Sequence, residues 1–303
     1  MKVFISTSTF AEYDKAPLVL LRKKGITFNL NPHKRKLTEK EISSLLAKGN
    51  YGGLLAGTEP LTREVLNNSR TLKVISRVGA GLDNVDMAGA KDLKIKVFNT
   101  PDVLTDSVSE LTLGLILSCL RRIALTDRNI RKKIWKKEMG MLLKGKTVGL
   151  IGFGRIGQRV ANLTKAFGAK VIFSDPRKIK STLGKQVSMD NLLKAADIIS
   201  IHAASKDALI SENEIAKMKQ GVILVNTARG SVVTEAALLN GLKSGKVASA
   251  GLDVFEPEPY SGELINLDNV VLTAHMGSYA KEARIKMELE AVKNLLKGLT
   301  LRK

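Results

Sequence analysis

Three side chains of unlike chemistry stand just past three apolar runs in the second half of the chain. Val222–Asn226 leads through Thr227-Ala228 into Arg229-Gly230. Ala248–Leu252 leads into Asp253-Val254-Phe255-Glu256-Pro257-Glu258-Pro259, and Val270–Thr273 into Ala274-His275-Met276-Gly277-Ser278. Each run has the length of a buried strand, and the first and last are rich in β-branched residues. In an open parallel sheet, ligands bind beyond the carboxyl ends of the strands, so an arginine, an acid and a histidine emerge where chemistry is done. A histidine exchanges a proton near neutral pH, and an acid beside it orients the ring and favours the imidazolium. An arginine clamps carboxylate and carbonyl oxygens and stabilises a developing alkoxide. Those are the needs of a 2-oxo acid reduced at C2 by a nicotinamide. The assignment is His275 as acid–base, Glu258 as its partner and Arg229 as the substrate clamp. Glu256 and Asp253 compete with Glu258, although Asp253, nearest its strand end, is expected to meet a cofactor amide instead. His202 also leaves a strand end and is expected to line the cofactor site.

The nicotinamide needs a holder, and Thr147-Val148-Gly149-Leu150-Ile151-Gly152-Phe153-Gly154-Arg155-Ile156-Gly157 has the form of one. An apolar strand runs into a glycine-rich turn that opens a helix, expected over Gln158–Phe167, and a second strand, Lys170–Ser174, ends on Asp175. Gly152 makes the tight turn, Gly154 lets the backbone approach a pyrophosphate, and Gly157 lets helix and strand pack closely. The phosphates sit on the helix N-terminus. A carboxylate at Asp175 accepts both ribose hydroxyls of NAD and repels the 2′-phosphate of NADP, a repulsion that Arg177 and Lys178 soften. NAD is the expected cofactor.

Strands and helices alternate on both sides of this motif, which implies an α/β protein with parallel sheets. In the first part the strands are expected at Lys2–Ser6, Thr27–Asn31, Gly53–Ala56, Leu72–Arg77 and Lys96–Asn99. One strand exit there, Ser76-Arg77-Val78-Gly79-Ala80-Gly81-Leu82-Asp83-Asn84-Val85-Asp86, carries glycines whose backbone N–H groups are free to face an anion. By itself it is equally an ordinary strand-to-helix turn. Thr105–Arg131 reads as one long helical stretch with an apolar face, able to bridge domains or meet a partner subunit. A final amphipathic helix is expected over Tyr279–Lys297.

The 303 residues suit two domains, and 44% apolar with 26% charged residues fits a soluble globular protein. The net charge, 49 − 29 = +20, is spread along the chain, and its densest run, Arg131–Lys137, is expected to be a solvated helix face. No zinc-finger spacing and no aromatic-interleaved basic motif occurs, so neither a metal nor a nucleic-acid partner is expected. The single cysteine, Cys119, is expected to be a buried structural thiol and fits a reducing compartment. The apolar stretch Leu111–Leu120 is too short to span a bilayer, and Met1–Thr7 reads as a strand rather than a signal peptide. A cytoplasmic enzyme without a membrane partner is the expectation.

Taken in order, these motifs resemble the D-isomer-specific 2-hydroxyacid dehydrogenases, most closely the phosphoglycerate-dehydrogenase-like branch. The resemblance rests on Ser76–Asp86, Asn99-Thr100-Pro101-Asp102, Glu110-Leu111-Thr112, Trp135, Gly149–Gly157, Asn226–Gly230, Leu252–Pro259 and His275–Ser278. It implies two Rossmann-like or flavodoxin-like domains with the active site in the cleft between them. It further implies that the cofactor domain (99–280) is inserted into a substrate domain (1–98 plus 281–303) and that dimers form on the cofactor domain. Residue by residue, Arg229, Glu258 and His275 match the family's catalytic trio, and Arg155, Ile156, Asp175, Thr227 and Asp253 match cofactor positions. Gly79, Ala80 and Gly81 match the substrate-carboxylate loop. The segment Ala56-Gly57-Thr58-Glu59-Pro60-Leu61 lacks the basic residue that phosphoglycerate enzymes often place near the phosphate. Phosphoglycerate is the leading candidate substrate, with glyoxylate, hydroxypyruvate or another short 2-oxo acid as alternatives. A non-catalytic NAD-sensing scaffold is the alternative from a different class.

Overall fold

The computed structural model describes residues 1–203, 205 and 207–300. It divides into two compact units, Met1–Leu104 with Ser278–Lys303, and Thr105–Gly277. The crossings fall at 104/105 and 277/278, against the sequence expectation of 98/99 and 280/281. A 3-10 turn over Asp102–Leu104 follows Pro101, buries Leu104 and packs on the last helix, so the first unit runs on past the proline.

The first unit holds strands β1 (Lys2–Ile5), β2 (Thr27–Leu30), β3 (Gly53–Ala56), β4 (Val74–Arg77) and β5 (Lys96–Phe98), all parallel in the order β2-β1-β3-β4-β5. Helices α1 (Ala16–Lys23), α2 (Glu39–Gly49), α3 (Arg63–Asn68) and α4 (Met87–Asp92) form the crossovers. Every residue of β3 is buried, as a central strand covered on both faces must be. The terminal helix α11 (Lys281–Thr300) returns to this sheet and lies on β3 and β4. Ser76 donates its hydroxyl to the carbonyl of Ala291 at 2.8 Å. A side chain at Gly298 would put Cβ 2.7 Å from Val74, so the close approach of helix to sheet requires glycine there.

The second unit holds a seven-stranded parallel sheet. Its strands are β6 (Thr147–Ile151), β7 (Lys170–Ser174), β8 (Lys185–Gln186), β9 (Ile198–Ile201), β10 (Val222–Asn226), β11 (Val247–Leu252) and β12 (Val270–Leu272), in the order β12-β11-β10-β9-β6-β7-β8. Helix α7 (Arg155–Ala166) follows β6, and α8 (Met189–Ala195), α9 (Glu212–Lys217) and α10 (Glu235–Lys243) complete the crossovers. Two aliphatic layers, one on each face, form the core, with Phe153 stacked on Phe173 at 3.6 Å between centroids.

The stretch expected as one helix over Thr105–Arg131 is two. Helix α5 (Thr105–Arg121) lays Leu115, Ile116, Cys119 and Leu120 against β10 and β11. Arg122 then turns left-handed at φ 51°, and α6 (Ile123–Arg131) buries none of its residues. The helical run Asp102–Arg121 is long and apolar enough to cross a membrane by length alone, longer than the ten-residue stretch read from the sequence. Its residues Leu115, Ile116, Cys119 and Leu120 are buried against the sheet. Helix α7 begins at Arg155 rather than Gln158, because Gly154 takes the extended N-cap conformation (φ −74°, ψ −164°).

Candidate active site

Three glycines shape the turn between β6 and α7, each for a separate reason. Gly152 sits at φ +92°, and a Cβ there would lie 2.7 Å from the carbonyl oxygen of His202. A Cβ on Gly157 would come within 2.3 Å of the Gly152 carbonyl oxygen, so helix and turn are in backbone contact. Gly154 differs: a Cβ there would meet nothing within 4 Å. Its smallness keeps open a space at the N-terminus of α7, whose first amides have no side-chain cap from Gly154. Open space on a helix N-terminus suits a pyrophosphate, and Arg155 and Ile156 form the first turn beside it. The residues present therefore fit a dinucleotide.

At the end of β7, Asp175 accepts the Phe153 N–H at 2.9 Å and the Arg177 N–H at 3.0 Å. The Arg177 guanidinium forks onto the same carboxylate through Nε at 3.0 Å and Nη2 at 3.2 Å. That contact, helped by the two amides, holds the Asp175 carboxyl down at about 2, so it is charged at any working pH. Arg177 thus sits on the carboxylate that ribose hydroxyls would share.

His202 backs the glycine turn. Its N–H donates to Ile151 at 2.7 Å, its ring Nε2 pairs with the Ser200 hydroxyl at 2.9 Å, and desolvation pulls its pKa down to about 4. It is a neutral support of the cofactor turn.

The adjacent carboxyl ends of β10, β11 and β12 carry the proposed chemical groups; Glu258 and His275 meet there, and the Arg229 Nη1 donates to the Ala228 carbonyl at 2.7 Å. Beyond β10, the buried Asn226 side chain accepts the Ala228 N–H at 3.0 Å and donates to the Arg229 carbonyl at 2.8 Å, which fixes the turn bearing Arg229. A Cβ on Gly230 would lie 2.1 Å from the Phe255 carbonyl carbon, so this turn rests on the loop after β11. In that loop the Phe255 N–H donates to Glu258 Oε1 at 3.0 Å, and Glu258 Oε2 receives His275 Nδ1–H at 2.8 Å. Thr227 shares a 3.0 Å hydroxyl contact with Thr112 of α5. His275 and Glu258 are both partly exposed, at 48% and 35% of their side chains, so the pair faces open space rather than core.

Asp253 is fully buried. Its Oδ1 accepts the Thr273 hydroxyl at 2.6 Å and the Met276 N–H at 2.8 Å, and its Oδ2 accepts the Gly277 N–H at 2.9 Å.

In the first unit, one element of the sequence reading needs correction. The Gly79 N–H does not face an anion: it donates to the Thr100 hydroxyl at 3.0 Å, and the Gly79 carbonyl accepts the Thr100 N–H at 2.9 Å. Gly79 takes φ +149°, a backbone conformation that L side chains rarely adopt. Among the described residues the amides of Ala80 and Gly81, like those of Leu82 and Asn84, donate no hydrogen bond, and Asn99 steadies the loop by donating to the Ala80 carbonyl at 2.7 Å.

A family model described as "D-isomer specific 2-hydroxyacid dehydrogenase, NAD binding domain" matches residues 113–277. The chain belongs to the D-isomer-specific 2-hydroxyacid dehydrogenase family. It is 45% identical to a hydroxypyruvate reductase of Thermotoga maritima over 79% of this chain and 81% of that protein. It is 43% identical to a glyoxylate reductase of Thermococcus litoralis over 79% of this chain and 77% of that protein. A solved structure from Thermus thermophilus superimposes with a TM-score of 0.92 at 34% identity, covering 100% of this chain and 98% of the other. The chain is therefore an NAD-dependent oxidoreductase acting on the CH–OH group of a 2-hydroxy acid. Within this family frame, reading the strand exits missed Asn226 and Thr112. Asn226 carried a signal, since asparagine ahead of a glycine turn habitually bonds backbone groups two or three residues on. Thr112 stood in the motif Glu110-Leu111-Thr112, but its pairing with Thr227, 115 positions away, could not be read from it.

Proposed function

We propose that this dehydrogenase reduces a small unphosphorylated 2-oxo acid, hydroxypyruvate or glyoxylate, in preference to a phosphorylated one. The observation that carries this reading is the charge at the carboxyl edge of the first sheet. A phosphate dianion needs uncompensated positive charge. At that edge stand Ser6, Gly57, Glu59 and Arg77, and the charge of Arg77 acts on the Glu59 carboxyl to favour its ionised form. Glu59 is buried and accepts the Ser6 hydroxyl and the Gly57 N–H; desolvation pushes its pKa upward, while those hydrogen bonds and the Arg77 charge favour the carboxylate that offsets the arginine. Acid and hydroxyl suit a hydroxyl tail or none. The two relatives named above are a hydroxypyruvate and a glyoxylate reductase, which supports the same reading over phosphoglycerate.

NAD(H), held by Gly152–Gly157 and Asp175, supplies the hydride chemistry when bound. Glu258 takes the Nδ1–H of His275 and so fixes the ring with Nε2 free to pass a proton to the substrate's C2 oxygen. Arg229 clamps the carboxylate and stabilises charge developing on that oxygen. We also propose a homodimer, with Ile123 and Ile130 of α6 and the exposed Ile134, Trp135, Met139 and Leu142 beyond it as the apolar surface to be covered. A cytoplasmic location fits the lone buried Cys119, whose thiol burial pushes up to about 11.

The test is a panel of glyoxylate, hydroxypyruvate and 3-phosphohydroxypyruvate with NADH. The expected result is a kcat/KM at least about tenfold higher for an unphosphorylated acid, a difference of about 1.4 kcal/mol. A preference for the phosphorylated acid ends the proposal.

A further inference from the structure

We propose that Asp253 is a positioning residue that sets the loop carrying His275, a task separate from any contact with the cofactor. The proposal rests on His275 being the acid–base group. Its geometry stands independently of that reading. His275 adopts a left-handed backbone, φ +49°, which a residue with a Cβ rarely takes up unaided. The groups that impose it flank it on both sides and converge on one carboxylate. Thr273 before it donates its hydroxyl to Asp253 Oδ1, Met276 after it donates its N–H to the same oxygen, and Gly277 donates its N–H to Oδ2.

Asp253 is itself fixed. Its N–H donates to Asn226 at 3.0 Å, so the carboxylate is registered to the end of β10, the strand that presents Arg229. A Cβ on Gly277 would approach Oδ2 to 3.2 Å, which leaves little slack on that side of the loop. The carboxylate is buried and surrounded by donors, the condition under which an anion is more useful than an amide. Turned left-handed by this bracket, His275 projects its ring to Glu258 at 2.8 Å. A buried carboxylate thus holds the backbone of the loop while an exposed one holds the ring.

Asp253→Asn is the informative change. It keeps the shape but replaces one acceptor oxygen with an N–H donor, which must face the Thr273 hydroxyl or one of the two amides. Three measurements are made on the full chain: amide hydrogen exchange by mass spectrometry, the equilibrium Kd for NADH, and steady-state kinetics with the preferred 2-oxo acid. The expected result is at least about tenfold faster exchange in peptides covering 274–277 with the rest of the chain unchanged. With it come a fall in kcat of about 30-fold or more and an NADH Kd within about threefold of wild type. Thr273→Val removes one of the three donors without touching charge and should move exchange and kcat the same way by a smaller factor, so the proposal stays testable if Asp253→Asn fails to fold. Unchanged exchange at 274–277 in the variants overturns the proposal, as does a rise in NADH Kd with kcat intact, which would make Asp253 a cofactor contact only. If the wild type turns over no 2-oxo acid, the catalytic reading of His275 fails, and the exchange data still decide whether Asp253 holds the loop.

Discussion

Gly154→Ala separates the two reasons for which a glycine is used in a dinucleotide turn. The backbone at Gly154 (φ −74°, ψ −164°) is open to any L-residue, and the added methyl would find no protein atom within 4 Å. Folding should therefore be untouched or helped, because alanine gives the unfolded chain less freedom to lose, worth roughly 0.4–1 kcal/mol. Cofactor affinity should move the other way. The methyl fills the space over the first amides of α7 where a pyrophosphate oxygen must approach. Losing even one charge-assisted hydrogen bond costs about 1.5–3 kcal/mol, which is about ten- to 100-fold in Kd. Gly157→Ala is the counterpart, since its methyl would lie 2.3 Å from the Gly152 carbonyl oxygen and some backbone must shift, costing roughly 1–3 kcal/mol of stability. The assay is urea unfolding beside calorimetric titration with NADH for both variants. A Gly154→Ala protein that binds NADH as tightly as wild type would refute the placement of the pyrophosphate at this helix end.

Two further outcomes follow from single contacts. Glu258→Gln keeps a partner for His275 Nδ1 but removes the charge, and the pair is only partly buried, so kcat should fall about ten- to 100-fold with the NADH Kd unchanged; an unaltered kcat would remove Glu258 from the mechanism. His202 titrates at about 4 in the folded protein against an ordinary value of 6.5, so between those values the unfolded chain binds a proton that the native state refuses. Stability is therefore lost as pH falls through that window, by about 3 kcal/mol at its acid end, and His202→Gln should flatten the slope measured by urea unfolding at pH 7 and pH 4.5. An equal slope in variant and wild type would show that other groups govern it.

The parts of the site that were legible in the sequence are those set by local backbone rules. Gly152 and Gly157 had to be glycine for the turn and for the helix contact, and the spacing alone said so. The strand exits were legible because a parallel sheet covered on both faces needs continuous apolar runs, whose ends are visible as the first polar residues. That logic puts Arg229, Glu258 and His275 beyond the ends of three strands, and those strands, β10, β11 and β12, are neighbours in the sheet. What it could not supply is which group a polar side chain serves. The Gly79 amide looked available because the hydroxyl that takes it, on Thr100, arrives 21 residues later from beyond β5. The break at Arg122 was invisible for a related reason: a left-handed arginine has no local signature. The two-residue strand β8 is too short to show a period at all.

Asp253 shows the same limit from the opposite side. By sequence it is one of three acids in the seven-residue exit from β11, and proximity to the strand end gave it a cofactor contact while Glu258 received the histidine. The two acids bond to the same segment at different atoms: Glu258 to the ring of His275, Asp253 to Thr273, Met276 and Gly277 around it. Glu258 acts on the imidazole at 2.8 Å, and Asp253 acts on the chain that carries it, through donors at 2.6, 2.8 and 2.9 Å. The division follows from burial. A carboxylate with no solvent access must have its lone pairs filled by fixed donors, and backbone amides are the donors that cannot swing away. A carboxylate one-third exposed can hold a ring that has to gain and lose a proton with each turnover. The exposed acid is therefore the one suited to chemistry and the buried acid the one suited to geometry, and that distinction appears only when the strands are folded side by side.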